Sequence, residues 1–266
     1  MNKNIKIAEV VPDIVQWCRD QLSTSGGDQA VIGLSGGKDS TVVAALMAEA
    51  IGKEQVFGLI LPDQGQNDLD TAIEIARELE INYQVLDISP ITSAIRLQVA
   101  KAIESGLIAE ESEQTRLNLP PRVRMTVLYA VSQSILGSRV VNTSNLSEDW
   151  VGYVTLYGDS AGAFAPLGML TSAEVIALGE ALGVSERFLK IPPADGLTGK
   201  TDEDVFGFSY EQLDKYIRTG EITDKNAREK IDRMHRLSRF KFQAMPMFQP
   251  HFDIGADDIA GIYDVD

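Results

Sequence analysis

Apolar residues recur at helical spacing from the start of the chain. Ile7, Val10, Val11, Ile14, Val15, Cys18 and Leu22 place one apolar face on a helix over residues 5–23. Ala30 to Leu34 is a short continuous apolar run, which reads as a buried strand, and Thr41 to Ala50 after it reads as a helix. The same alternation repeats. Val56 to Leu61 is a second buried strand stopped by Pro62, Asp68 to Leu79 an amphipathic helix, and Asn82 to Ile88 a third strand. Two helical segments follow, over about 90–105 and 120–136, and then a short strand from Arg139 to Thr143.

Strands alternating with helices predict an α/β fold, a parallel twisted sheet with helices on both faces. Right-handed crossovers then bring the loops after each strand to one edge, where ligands bind in open α/β sheets. The segments 35–40, 62–67 and 143–148 are therefore expected to converge. Beyond residue 150 the pattern turns irregular, punctuated by Gly152, Gly158, Gly162 and Gly168. Thr171 to Leu182 reads as a capped helix, 191–208 as a long loop of the kind that forms a lid, and 209–218 and 223–238 as helices. Residues 249–266 form an acidic tail. No internal repeat or low-complexity linker interrupts the chain, so residues 1–266 are expected to form a single domain.

Chemistry enters at the first strand. Ser35-Gly36-Gly37-Lys38-Asp39-Ser40 joins the strand ending near Gly33 to a helix. Glycines let backbone N–H groups approach an anion closely, and the helix N-terminus adds partial positive charge. The loop also carries its own cation, Lys38, and a possible metal ligand, Asp39. It is not a Walker A loop. Asp39 stands where Ser or Thr is required, and Ile32 stands where the first glycine belongs. Gly199-Lys200-Thr201 fails as well, because Ala194 occupies the leading glycine position. The hexapeptide resembles the pyrophosphate loop of the N-type ATP pyrophosphatases, whose fold is that of the adenine nucleotide alpha hydrolases. That resemblance implies cleavage of ATP between the α- and β-phosphates.

The formal net charge of −15 disfavours nucleic acid or an anionic membrane as the main partner. A phosphorylated substrate remains compatible if the site is locally basic, and Arg122, Arg124, Lys200 and Lys241 are candidates for that charge. Cys18 is the single cysteine, which rules out an internal disulfide or a four-cysteine zinc site. With no signal-like leader or long apolar run, the expected location is the cytoplasm. Magnesium prefers one or two carboxylates together with phosphate oxygens and water. Asp39 and Glu148, each just past a predicted strand, are the best pair.

Longer motifs extend the resemblance over about residues 5–248. Thr143-Ser144-Asn145-Leu146-Ser147-Glu148, Gly152-Tyr153 and Tyr157-Gly158-Asp159 are similar to the segment after the fourth strand of ammonia-dependent NAD synthetases. So are Asn118 to Thr126, Pro193 to Leu197, Gly199 to Asp204, Gly207 to Tyr210, and Leu213-Asp214. The resemblance implies amidation of nicotinic acid adenine dinucleotide by ammonia, driven by conversion of ATP to AMP and pyrophosphate through an acyl-adenylate. It implies that Gly33, Ser35 to Ser40, Thr143, Ser172, Lys200 and Thr201 contact ATP. Magnesium would lie on Asp39 and Glu148. Arg122, Arg124 and Lys241 would contact the dinucleotide, and Asp159 would orient or deprotonate ammonia beside the reacting carboxylate. Asp39, Asp159 and Lys200 are the catalytic candidates, and a homodimer is implied. No amidase domain or nucleophilic-cysteine context accompanies Cys18, so ammonia is expected free or from a partner. His235 and His251 receive no catalytic role.

The chain departs from the family at three positions implied to line the dinucleotide subsite. Leu156 replaces a lysine, Ala163 an aspartate, and Phe240 the histidine of a His-Lys pair. Ser172 stands where some members carry a lysine. Each lost polar contact costs on the order of 1–3 kcal/mol of binding. Three outcomes stay open at this point: NAD synthesis with compensation elsewhere, the same chemistry on another carboxylate, and nucleotide binding without turnover. Retention of Asp39, Glu148 and Asp159 weighs against the last.

Overall fold

The computed structural model describes residues 6–63, 69–191 and 201–248. Four parallel strands form the sheet: β1 (Gln29–Gly33), β2 (Val56–Ile60), β3 (Asn82–Val85) and β4 (Ser138–Val140), in the order β3-β2-β1-β4. Ala30 pairs with Val56 on one side and with Arg139 on the other. The chain thus grows outward from β1 to β3, then returns to place β4 on β1's free side. The crevice between β1 and β4 is the switch point of the topology. Just past β4, Val141 bridges to Phe164, which extends pairing beyond the fourth strand.

Side-chain alternation along β1 explains the layers. Ala30 and Ile32 enter a core with α1 (Ile7–Thr24), α2 (Lys38–Ile51), α3 (Leu69–Glu78) and α7 (Ser172–Ala181). Val31 enters the opposite core with Val123, Met125 and Leu128 of α5 (Glu113–Ser132). Helices therefore cover both faces, as the alternation predicts. α2 is buried almost all round, which fits its run of small and β-branched residues and an apolar contact on each side. A third cluster joins Val151 of α6 (Leu146–Val151), Phe206 of α9 (Asp202–Phe206), Leu213 of α10 (Tyr210–Thr219) and Ile231 of α11 (Lys225–Ser238). The remaining helices are α4 (Ser89–Glu104) and α8 (Glu186–Leu189).

Two expectations are corrected. α5 begins at Glu113, ahead of the predicted 120, because the Ser112 hydroxyl caps it by accepting from Thr115 N–H at 3.1 Å. Pro120 and Pro121 consequently lie inside a helix, where neither can donate to the carbonyl four residues back. The predicted loop over 191–208 also contains α9, capped by a reciprocal Thr201–Asp204 pair and fixed by fully buried Phe206. Residues 192–200 of that loop, residues 64–67 of the segment expected after β2, and the tail over 249–266 lie outside the described residues. No helix among the described residues is long and apolar enough to cross a membrane.

Candidate active site

The loop after β1 is folded on itself by its two serines. Gly37 N–H donates to Ser35 Oγ at 3.2 Å, Ser35 N–H donates to Ser40 Oγ at 3.3 Å, and Ser40 Oγ donates to Gly37 O at 3.1 Å. Gly36 makes the turn at φ +86°, a conformation that favours glycine. Thr41 N–H makes the first bond inside α2, to Gly37 O. The N–H groups of Lys38, Asp39 and Ser40 therefore head the helix as an anion site. Lys38 is buried and its Nζ lies 2.7 Å from Asp39 Oδ2. Burial alone would lower its pKa, but Asp39 and Glu148 outweigh that and hold it above the ordinary lysine value.

Facing this loop across the switch point is α6. Its cap, Asn145, is fully buried and accepts from Ser147 N–H and Glu148 N–H while donating to Asp39 Oδ1 at 3.0 Å. Glu148, in the first turn, lines the cleft and makes no hydrogen bond to a described side chain. Burial and then Asp39 push its carboxyl well above the usual range, against the pull of Lys38. Beneath α6, Ser147 Oγ donates to Asp214, which also accepts from Ala173 N–H at 2.9 Å.

The third wall is the turn over 153–161. Thr155 N–H donates to Asp159 Oδ1 at 2.6 Å, and Asn142 Nδ2 and Ser144 Oγ hold the Asp159 carbonyl. Burial raises the Asp159 pKa and the Thr155 bond opposes it. The turn is clamped to α5: Thr155 Oγ1 donates to Asn118 Oδ1, and Arg122 Nε donates to Leu156 O at 3.2 Å. One face of α5, with Pro121, Arg124, Met125 and Leu128 at helical spacing, closes the fourth side. The cleft is about 400 Å³, within the size range of small-molecule sites.

Most of the residues singled out from the sequence meet in this cleft: Gly33, Ser35 to Ser40, Arg124, Thr143, Glu148 and Asp159. Others are placed differently. Arg122 is exposed and spent on Leu156 O. Ser172 is buried at the start of α7, where its N–H donates to Ser147 Oγ. Thr201 caps α9, one residue before the cleft-lining Asp202. Ala163 is exposed beside β4, donating its N–H to Val140 O, and Phe240 is 61% exposed. Lys241 Nζ donates to the carbonyls of Gly152 and Val154, each at 2.8 Å. Lys200 lies outside the described residues. Sequence reasoning missed Asn145, Asn142 and the buried pair Tyr210–Asp202, joined at 3.0 Å. For Asn145 a signal exists, since an asparagine three residues before a glutamate is a helix-start pattern.

The family model described as NAD synthase matches residues 10–248. This chain belongs to the NAD synthase family. The NH3-dependent NAD(+) synthetase of Archaeoglobus fulgidus is 38% identical over 246 residues, covering 90% of this chain and 96% of that protein. Among solved structures, the NMN synthetase from Francisella tularensis is 30% identical with a TM-score of 0.83, covering 94% of this chain and all of that one. The NH3-dependent NAD synthetase from Campylobacter jejuni is 29% identical with a TM-score of 0.72, covering 92% of this chain and all of that one.

Proposed function

We propose that this protein is an ammonia-dependent NAD synthetase, adenylating the carboxylate of nicotinic acid adenine dinucleotide and displacing AMP with ammonia. The observation that carries this reading is the meeting of three groups in one cleft: the Ser35–Ser40 loop, the Asp39–Glu148 carboxylates and Asp159. The acceptor carboxylate attacks the α-phosphorus, and the bond to the β-phosphate oxygen breaks. Charge that develops on the departing pyrophosphate falls on the α2 N–H groups and Lys38. Ammonia then attacks the acyl carbon, and Asp159 takes a proton as AMP leaves.

Asp39 and Glu148 fit a magnesium ion, because Glu148 is a half-buried acid that lines the cleft with no hydrogen-bond donor among the described side chains. The ion would supply charge neutralisation at the ATP phosphates. Residues 1–266 act as one catalytic unit in this reading. Two units pair through the α4–α5 side, which exposes Ile91, Ile95, Leu97 and Leu117.

A second reading of the acceptor rests on the likeness to the NMN synthetase. With Lys241 held by backbone carbonyls, a smaller nicotinate mononucleotide is the alternative carboxylate. Pyrophosphate release with ATP, magnesium and ammonium is the test. Stimulation by the dinucleotide acid is expected, and stimulation only by the mononucleotide acid selects the second reading. Asp39→Ala is expected to abolish release, and full activity in that variant refutes the mechanism.

A further inference from the structure

The two carboxylates assigned to the cation come from opposite walls of the cleft, one on α2 and one on α6. A single buried amide touches both supports. Asn145 Nδ2 donates to Asp39 Oδ1 at 3.0 Å, while its Oδ1 accepts from Ser147 N–H at 3.0 Å and from Glu148 N–H at 3.1 Å. The two N–H groups fix which end of the amide is oxygen, so the NH2 must face Asp39. Lys38 holds the other Asp39 oxygen at 2.7 Å. The Asp39 carboxylate is thereby gripped from two sides, and the backbone that carries Glu148 hangs from the same side chain.

Capping alone does not require asparagine here. Serine, threonine and aspartate cap a helix as well. Of these, aspartate would set a second carboxylate against Asp39, and serine is too short to cap α6 and reach Asp39 together. A short side chain that accepts at one end and donates at the other is what this position demands, and Asn145 has no exposed surface.

We infer that Asn145 is a positioning residue that sets the placement of Asp39 and Glu148 relative to each other, and through them the affinity for the divalent cation. The inference rests on the carboxylate-pair reading above. Side chains that orient metal ligands from behind typically change affinity 10–100-fold when lost. The 266-residue chain is titrated with Mn2+ by electron paramagnetic resonance in the presence of an ATP analogue with a methylene between the α- and β-phosphates, so no turnover contributes. N145S keeps an oxygen for the α6 cap and removes the donor to Asp39. It is expected to bind Mn2+ about 10–100-fold more weakly while folding with a higher thermal midpoint than N145A.

Mn2+ binding by N145S equal to that of the parent overturns the role of Asn145. Loss of folding in both N145S and N145A at the assay temperature also overturns it, since the residue is then a structural cap. D39N and E148Q separate the two levels of the argument. If both bind Mn2+ as the parent does, the carboxylate pair itself fails and the inference falls with it.

Discussion

Gly152 is the position at which α6 is most sensitive to one added methyl group. It ends α6 in the left-handed conformation, at φ +71° and ψ +28°, and its carbonyl receives Lys241. A β-carbon placed there would sit 2.0 Å from Ser238 Cβ and 2.5 Å from Ser238 Oγ, on the last residue of α11. Two costs follow for Gly152→Ala. A non-glycine residue in the left-handed region costs about 1–2 kcal/mol. Separating the two helices to admit the methyl is an overpacking cost of about 1–3 kcal/mol. Reduced freedom of the unfolded chain returns about 0.4–1 kcal/mol. The net loss is about 1–5 kcal/mol, a sizeable share of the roughly 5–15 kcal/mol that holds a folded domain. Urea unfolding of the parent, Gly152→Ala, Ser238→Gly and the double variant measures it. Because Ser238→Gly deletes both colliding atoms, the double variant should recover about 1–3 kcal/mol of the Gly152→Ala loss and leave the backbone cost. A Gly152→Ala variant within about 0.5 kcal/mol of the parent, or strictly additive losses in the cycle, refutes the steric account.

Two further outcomes test other regions. Cys18 has no exposed surface, and burial pushes its thiol up to about 12, so a disulfide reagent at pH 8 should find no reactive group in the native protein and one equivalent after denaturation. Because its folded pKa is raised, the native state keeps the proton that the unfolded chain loses, so Cys18 makes stability fall as pH climbs from about 9 towards 12; rapid native labelling contradicts this. Ile95→Glu places a charge on the apolar α4 surface and should convert the proposed dimer to monomer in sedimentation velocity; an Ile95→Glu dimer of parental affinity rejects that face as the interface.

The parts of the fold that were legible in the sequence are those with local causes. β1 and β2 are short apolar runs between turns, and α10 and α11 have clear polar and apolar faces. Each was placed within a residue or two. α5 was misread at its start because proline normally marks a first turn, and only the Ser112 cap and packing against β1 carry the helix through Pro120 and Pro121. α6 and α9 are too short for periodicity to reveal them, although both begin at a capping residue. The Ser35–Ser40 loop was readable because the serine bonds that fold it span five residues or fewer. Arg122 and Lys241 show the opposite case. Their long side chains end on carbonyls far away in the chain, Leu156 for one and Gly152 and Val154 for the other, which no local pattern encodes.

The charge balance inside the cleft decides how ATP must arrive. Lys38 feels Asp39, Glu148 and Asp214, and Glu148 feels Asp39, Asp202 and Asp159. Among the described residues, Arg124 is the other cation lining the cleft, and it is already engaged with Leu61 O at 2.9 Å. Two unit charges about 4 Å apart interact by about 4 kcal/mol where the effective dielectric constant is about 20. A bare triphosphate brought beside these acids therefore meets repulsion that one lysine and a helix N-terminus offset only in part. Two routes relieve it: protonation of Glu148, whose pKa is already raised, or a divalent cation shared by the carboxylates and the phosphates. The second keeps the acids ionised and binds the nucleotide at the same time. ATP should accordingly bind at least 10-fold more weakly in EDTA than with magnesium, a difference of about 1.4 kcal/mol or more, measured by displacement of a fluorescent ATP analogue. Equal affinity in the two conditions would show that no divalent cation joins the acids of the cleft to the phosphates.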